Sequence, residues 1–419
     1  MREVTVRPDP SQLGGIASLV LTGTLAGFFV ASYIPGFLGV SSRVATVPYR
    51  GFMLLLLIYA LYRLLKAGRF RVRISATTLL AVFFWTAYCL RFIFDAAFLQ
   101  IPLERGVPPS EMALFLFGIC LPTFIVLYQF KDIKLYGKAL PWLVPVLGAC
   151  CMASLFRTAT ARDVELTGGG YQGNEALNHI TYGHMGVMTM MLGLFVLLQI
   201  GRVKRPWYLR LLAAGAVGLG AFSMLASASR GAVVAGIMLI PVVVYLGFRC
   251  GSKILAIGIC FVLALVLSAS AKYLSRNGLD LDRQLAAATA YSTANSSVYN
   301  RENMLRDAWK EYLDHPWLGS SIVERNSLSY PHNAVVEAFM ATGTFGGAAF
   351  ALLVLLAIYR AITFMRRETA LAWIPICFFQ QLIGAMFSGG LYSNYGLWGM
   401  MAIMLGADLP RTQLRGLPE

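Results

Sequence analysis

The chain reads as an all-α polytopic membrane protein with about twelve transmembrane helices and one large, partly helical external loop between the ninth and the tenth. Three observations predict this. Hydrophobic residues make up 58% of the 419 positions and charged residues only 13%, against roughly 25% charged in soluble domains. Apolar runs of about 17 to 25 residues, each able to cross ~30 Å of hydrocarbon as a helix, recur from Ile16 to Leu405 between mostly short polar loops. Lysines and arginines concentrate on alternate loops, so the net charge of +15 is largely a topology signal. Dispersed in this way it forms no basic stripe, and no nucleic-acid partner is needed to explain it.

The expected spans lie near 16–36, 51–65, 77–98, 111–129, 139–156, 183–201, 207–228, 231–248, 254–272, 333–359, 371–388 and 394–407. The first follows Arg2 and Arg7 without a small-x-small cleavage site, so it reads as an uncleaved helix. With the N-terminus inside, Arg69, Arg71, Lys131, Lys134, Arg202, Lys204, Arg366 and Arg367 all fall on inner connections. The short outer ones keep only Arg43, Arg50, Arg105, Arg157, Arg162 and Arg230, which predicts both termini in the cytoplasm. Inside the third span, Arg91 and Asp95 are spaced i, i+4 and read as a self-neutralising buried pair, with a proton relay as the functional alternative. All seven cysteines fall in spans or at a cytoplasmic edge, so no disulfide holds the outer loops.

Residues 1–419 form one integral membrane domain with two larger outer loops. The smaller, 157–182, contains "TGGGYQGNEALNH", whose glycines mark a mobile or backbone-exposing segment. The larger, 273–332, is too long for an idle connection. Within it, "RENMLRDAWKEYLDHPWLG" places Met304, Leu305, Ala308, Trp309, Tyr312 and Leu313 at helical period, with Glu302, Arg306, Asp307, Lys310 and Glu311 opposite. Pro316 and Gly319 end this helix. Its apolar stripe needs a surface, either the top of the bundle or the bilayer interface.

All four histidines, His179, His184, His315 and His332, lie at or beyond the outer boundary. His332 stands where a polar loop enters a span, with Asn333 suited to cap the first backbone donors. Position alone leaves a helix-end imidazole and a functional one equally open. Arg230 has almost no loop around it, so its guanidinium belongs near the interface, where a charge pair at 4 Å is worth about 4 kcal/mol before desolvation. "GLDLDRQ" holds Asp280 and Asp282 in a D-x-D pattern, a weak metal signal that helix capping explains equally well.

His332, Asn333, Gly343 and Gly346 resemble the H-[N/S/Q]-x9-G-x-x-G signature of bacterial O-antigen ligases. Arg301, Pro316 and Gly319 resemble the R-x14-P-x2-G stretch that precedes it in the same ligase and polymerase superfamily, and Ser229, Arg230 and Gly231 fit its S-R-G junction. The resemblance implies a GT-C-like architecture and transfer of a glycan from undecaprenyl diphosphate to lipid A core oligosaccharide at the outer face of the bacterial inner membrane, without metal or cofactor. His332 would be the base, and Arg230 and Arg301 would bind the donor diphosphate, since arginines keep their charge when partly dehydrated. Asn333, Glu337 and Arg306 are supporting candidates, Glu337 as a residue that could orient the base. An O-antigen or exopolysaccharide polymerase and a protein O-oligosaccharyltransferase of the same superfamily remain alternatives. A secondary transporter fits less well, because its ionisable residues would gather at mid-membrane in repeated halves.

Overall fold

The computed structural model describes residues 10–37, 43–71, 74–99, 107–160, 177, 179–199, 206–227, 229–250, scattered positions between 257 and 272, and 296–408. Among them every named element is helical, and the pairing of Glu324 with Ser329 is an isolated bridge. In chain order these are α1 (Gln12–Tyr33), α2 (Arg43–Lys66), α3 (Ala76–Phe94), α4 (Pro109–Gln129), α5 (Leu140–Thr160), α6 (His179–Leu198), α7 (Trp207–Ala226) and α8 (Arg230–Cys250). After them come α9 (Ser296–Asp314), α10 (Ala334–Arg367), α11 (Trp373–Phe387) and α12 (Tyr395–Gly406).

Nine helices among the described residues, α1 to α8 and α10, are long and apolar enough to cross a membrane, while α11 and α12 are shorter apolar helices. The nine coincide with nine of the expected spans, and α11 and α12 fall within two more. The remaining one, 254–272, is described only at scattered helical positions, so its bounds and most of the loop to Asn295, with Asp280 and Asp282, lie outside the described residues.

Glycine lets α6 and α7 approach backbone to backbone. A methyl at Gly186 would meet the Gly220 carbonyl and the Met224 amide, and one at Gly220 would meet the Met190 amide. Small residues drive such contacts where lipid supplies no hydrophobic force between helices. Among the described spans α6 is the most enclosed, 78% buried over its apolar window against 28% for α3. Between α3 and α12 the packing is aromatic. Phe84 and Trp85 of α3 lie against Trp398 of α12 with ring centroids 5.6 and 4.3 Å apart, and the Trp398 indole N–H donates to the Leu391 carbonyl at 2.8 Å.

Helix α10 is two helices in sequence, because Gly343 within it adopts φ 68° and ψ −169°. The segment ending α9 docks into this break. Pro316 O accepts from Thr344 N at 2.6 Å and from the Thr344 hydroxyl at 2.8 Å, while Ser320 N donates to Met340 O at 2.7 Å. Gly319 has φ 75°, and a methyl there would strike the Ala341 carbonyl; one at Gly343 would strike the Trp317 carbonyl. The glycines of the two sequence motifs therefore interlock, each leaving room for the other's chain.

The amphipathic α9 finds its surface on this joint. Ala308 is fully buried, the Trp309 and Tyr312 rings lie 6.3 and 5.3 Å from Phe339, and the Tyr312 hydroxyl meets the Thr344 hydroxyl at 3.0 Å. Leu313 and the following Trp317 stay exposed, so only part of the apolar stripe is covered. The Arg91–Asp95 pair closes at 2.8 Å and does more than neutralise itself. Arg91 donates to the carbonyls of Gly319 and Ser320, and Asp95 accepts from Ile322 N at 2.8 Å, which ties the same loop to α3.

Three expected plain spans carry π turns, Gly23–Gly27 in α1, Asp95–Leu99 at the end of the third and Leu114–Cys120 in α4. The Tyr49 hydroxyl donates to Gly23 O at 2.8 Å, taking one carbonyl out of the helical ladder. The turns in α1 and α4 border the cavity described next.

Candidate active site

His332 immediately precedes α10 with φ +57°, a left-handed conformation that a residue with a Cβ adopts at a cost of about 1–2 kcal/mol. Two neighbours hold it there. Pro331 is buried, and the Asn333 side-chain oxygen accepts from the N–H groups of Val335 and Val336 at 3.1 Å each, the cap its residue type predicts. The imidazole lies edge-on to Tyr330 with centroids 4.6 Å apart, and its Nδ1 is enclosed without a partner among the described residues. Burial, and then the positive charge of Arg301, push its pKa down to about 4, so the ring is neutral at physiological pH.

Arg301 sits half-buried in the second turn of α9, and its charge reaches both His332 and His179 at the start of α6. The joint at Gly343 thus brings α9 and the head of α10 together over α6, although Arg301 and His332 are separated by the whole P-x2-G segment.

The supporting candidates are placed differently. Arg306 is exposed and pairs with Glu302 at 3.5 Å on the solvent side of α9. Glu337 is fully buried, and its carboxylate accepts from the Tyr88 hydroxyl at 3.0 Å and from Leu391 N at 2.8 Å. It is a strut between α3, α10 and the turn before α12. Arg230 opens α8, and its side chain lies outside the described residues. Around it, Ser229 N donates to the buried Ser227 hydroxyl at 3.2 Å, Ser229 O accepts from Val233 N at 3.1 Å, and Gly231 packs on Phe387 and the His184 ring.

Next to this junction is a cavity of about 380 Å³ between α1, α2, α4, α6, α11 and α12. Tyr330 lines it and packs on the other side against the His332 imidazole, so one aromatic ring separates the cavity from His332. Arg50, His184, Gln380 and Gln381 also line it, and sequence reasoning assigned none of them a role. Two signals were available: adjacent glutamines in an apolar span, and an arginine at an outer helix end. Arg50 is paired with Glu111 at 2.7 Å and lies over the Phe115 ring at 3.9 Å. Among the described residues no three of the His, Cys, Asp and Glu side chains gather as metal ligands.

A polytopic helical membrane protein with an imidazole and an arginine converging at one end of its bundle is the class these features define. Residues 215–351 match the family model described as O-antigen ligase, which supports the O-antigen ligase superfamily, whose members are membrane glycosyltransferase-like ligases and polymerases. The match runs from α7 to the middle of α10 and includes Arg230, Arg301, His332 and both interlocking glycines. No curated protein and no solved structure matches the chain.

Proposed function

We propose that the protein is an O-antigen ligase of the bacterial inner membrane, with both termini in the cytoplasm, that transfers a glycan from undecaprenyl diphosphate to lipid A core oligosaccharide at its periplasmic face. The observation that carries this reading is His332: neutral, strained, with an unpartnered nitrogen, under the charge of Arg301 and inside the family-matched segment.

The chemistry follows from charge. An acceptor hydroxyl oxygen attacks the anomeric carbon, and its proton passes to the His332 imidazole as the C–O bond to the diphosphate breaks. The bonding pair leaves with undecaprenyl diphosphate, whose negative charge Arg301 and Arg230 stabilise. One displacement of this kind inverts the anomeric centre and needs no metal. An imidazole with a pKa near 4 is by itself a weak base. A diphosphate bound beside Arg301 offsets the charge that depresses it, so donor binding raises the proton affinity of His332 as the acceptor arrives.

The deciding experiment reconstitutes purified protein with undecaprenyl-diphosphate-linked glycan and either lipid A core or a second lipid-linked repeat as acceptor. Growth of the lipid A core product is expected; growth of only the lipid-linked repeat would make the protein a polymerase.

A further inference from the structure

We infer that the cavity beside His332 is a saccharide subsite in which Gln381, supported by Gln380 and His184, reads the hydroxyls of a neutral sugar ring. The polar groups come first. Gln380 and Gln381 sit side by side in α11, an otherwise apolar helix, where an unsatisfied amide costs about 1–3 kcal/mol. Gln381 donates to the Gln380 side-chain oxygen at 2.9 Å, and Gln380 donates to the His184 carbonyl at 3.2 Å and approaches its Nδ1 at 3.4 Å. His184 Nε2 is enclosed without a partner among the described residues. Gly396 leaves room for the Gln381 amide, since a methyl there would strike its oxygen. A chain of three polar side chains is thus built from α11 to α6 and aligned along the cavity wall.

Charge then selects the ligand. Among the described residues the one arginine lining this cavity, Arg50, is neutralised by Glu111 at 2.7 Å. What remains are amides, hydroxyls and an imidazole, which suit a neutral polyol better than an anion. Phe115 and Tyr395 supply apolar walls for the C–H faces of a sugar ring. The volume of about 380 Å³ is of small-molecule size, too small for a polymer chain. A ring bound there would lie across Tyr330 from His332, whose imidazole is 4.6 Å from the Tyr330 ring, so it is a sugar near the scissile bond. Two sugars have that position: the first of the donor glycan and the terminal one of the acceptor.

The choice of ligands rests on the transferase reading, and binding measured without turnover keeps the two separable. Purified protein in nanodiscs is titrated with undecaprenyl diphosphate alone, with the undecaprenyl-diphosphate-linked glycan extracted from the cells that make the protein, and with lipid A core from the same cells. Gln381→Leu, close in size, should weaken binding of one sugar-bearing ligand about tenfold and leave bare undecaprenyl diphosphate within twofold. Loss on the lipid-linked glycan assigns the donor sugar, and loss on lipid A core assigns the acceptor sugar. If Gln381→Leu fails to fold, Gln381→Asn carries the same comparison. Equal loss on bare undecaprenyl diphosphate, or no loss on either sugar ligand, overturns the subsite. Wild-type protein that binds sugar with the expected Gln381 dependence but transfers none would sink the transferase reading alone.

Discussion

Between α6 and α7 the chain meets itself helix to helix, with Gly186 and Gly220 giving van der Waals access to backbone. Between α9 and α10 it meets loop to kink, with Gly319 and Gly343 giving access for hydrogen bonds from Pro316, Ser320 and Thr344. The first contact is continuous and deep in the bundle, and neither Gly186 nor Gly220 lines the cavity. The second is local, stands at one end, and sets where Arg301 and His332 lie relative to each other. Close backbone approach therefore builds rigidity in one place and geometry in the other. Substitutions in the two places should fail differently, one through stability and one through rate.

The largest effect on rate per folded molecule belongs to the residue that the second joint presents. His332→Ala should reduce transfer 10²–10⁴-fold while undecaprenyl diphosphate still binds, read by single-turnover transfer alongside equilibrium binding. Near-wild-type turnover would make His332 a structural helix-end residue. Gly343→Ala should come next. With φ at 68° and the Trp317 carbonyl in the way, the added methyl displaces the docked segment, and a misplacement near 1 Å is worth on the order of 10²-fold in rate. Insertion and purified yield should change little, because the bundle below is untouched.

Arg301→Gln sharpens the comparison through pH. Its charge is the second cause of the low His332 pKa, after burial. In the wild type kcat/KM should hold from neutral pH down to about 5 and fall as pH approaches about 4, where the base protonates. Without the guanidinium this acid limb should move to higher pH, on top of weakened donor binding. The same depressed pKa makes the unfolded chain bind the extra proton, so stability is constant above about 6.5 and declines as pH falls from there towards about 4. His332→Ala should remove that decline, which thermal unfolding across the window would reveal. The smallest effect on rate is expected from Gly220→Ala: the surviving folded protein should transfer within about threefold of wild type, while midpoint temperature and yield drop. A large rate defect there, with stability intact, would erase the distinction between the joints.

Much of this architecture is legible without coordinates. Hydropathy runs match nine helices long enough to cross because crossing hydrocarbon imposes a length and an apolar composition that hardly depend on the neighbours. The cap at Asn333 and the α9 amphipath are local in the same sense, one decided by side-chain chemistry at a helix start and the other by period. Motif spacing likewise singles out Arg301, His332, Gly319 and Gly343. What these glycines do is another matter, since a glycine in a sequence states that space is needed and not for what. The same holds for Arg91 and Asp95. Their i, i+4 spacing announces an ion pair, but their further partners, Gly319, Ser320 and Ile322, lie more than two hundred positions away. Glu337, spaced to reach the base, also bonds Tyr88 and Leu391, partners no helical period announces, and the polar wall of His184, Gln380 and Arg50 exists only where six helices converge. Sequence by itself determined which segments are apolar helices and which residues stand in the family's motif, because those depend on composition and short-range period. Tertiary structure alone decided which of them meet, because a buried polar group takes its partner from whichever helix packs across from it, and periodicity along one helix carries no record of the other.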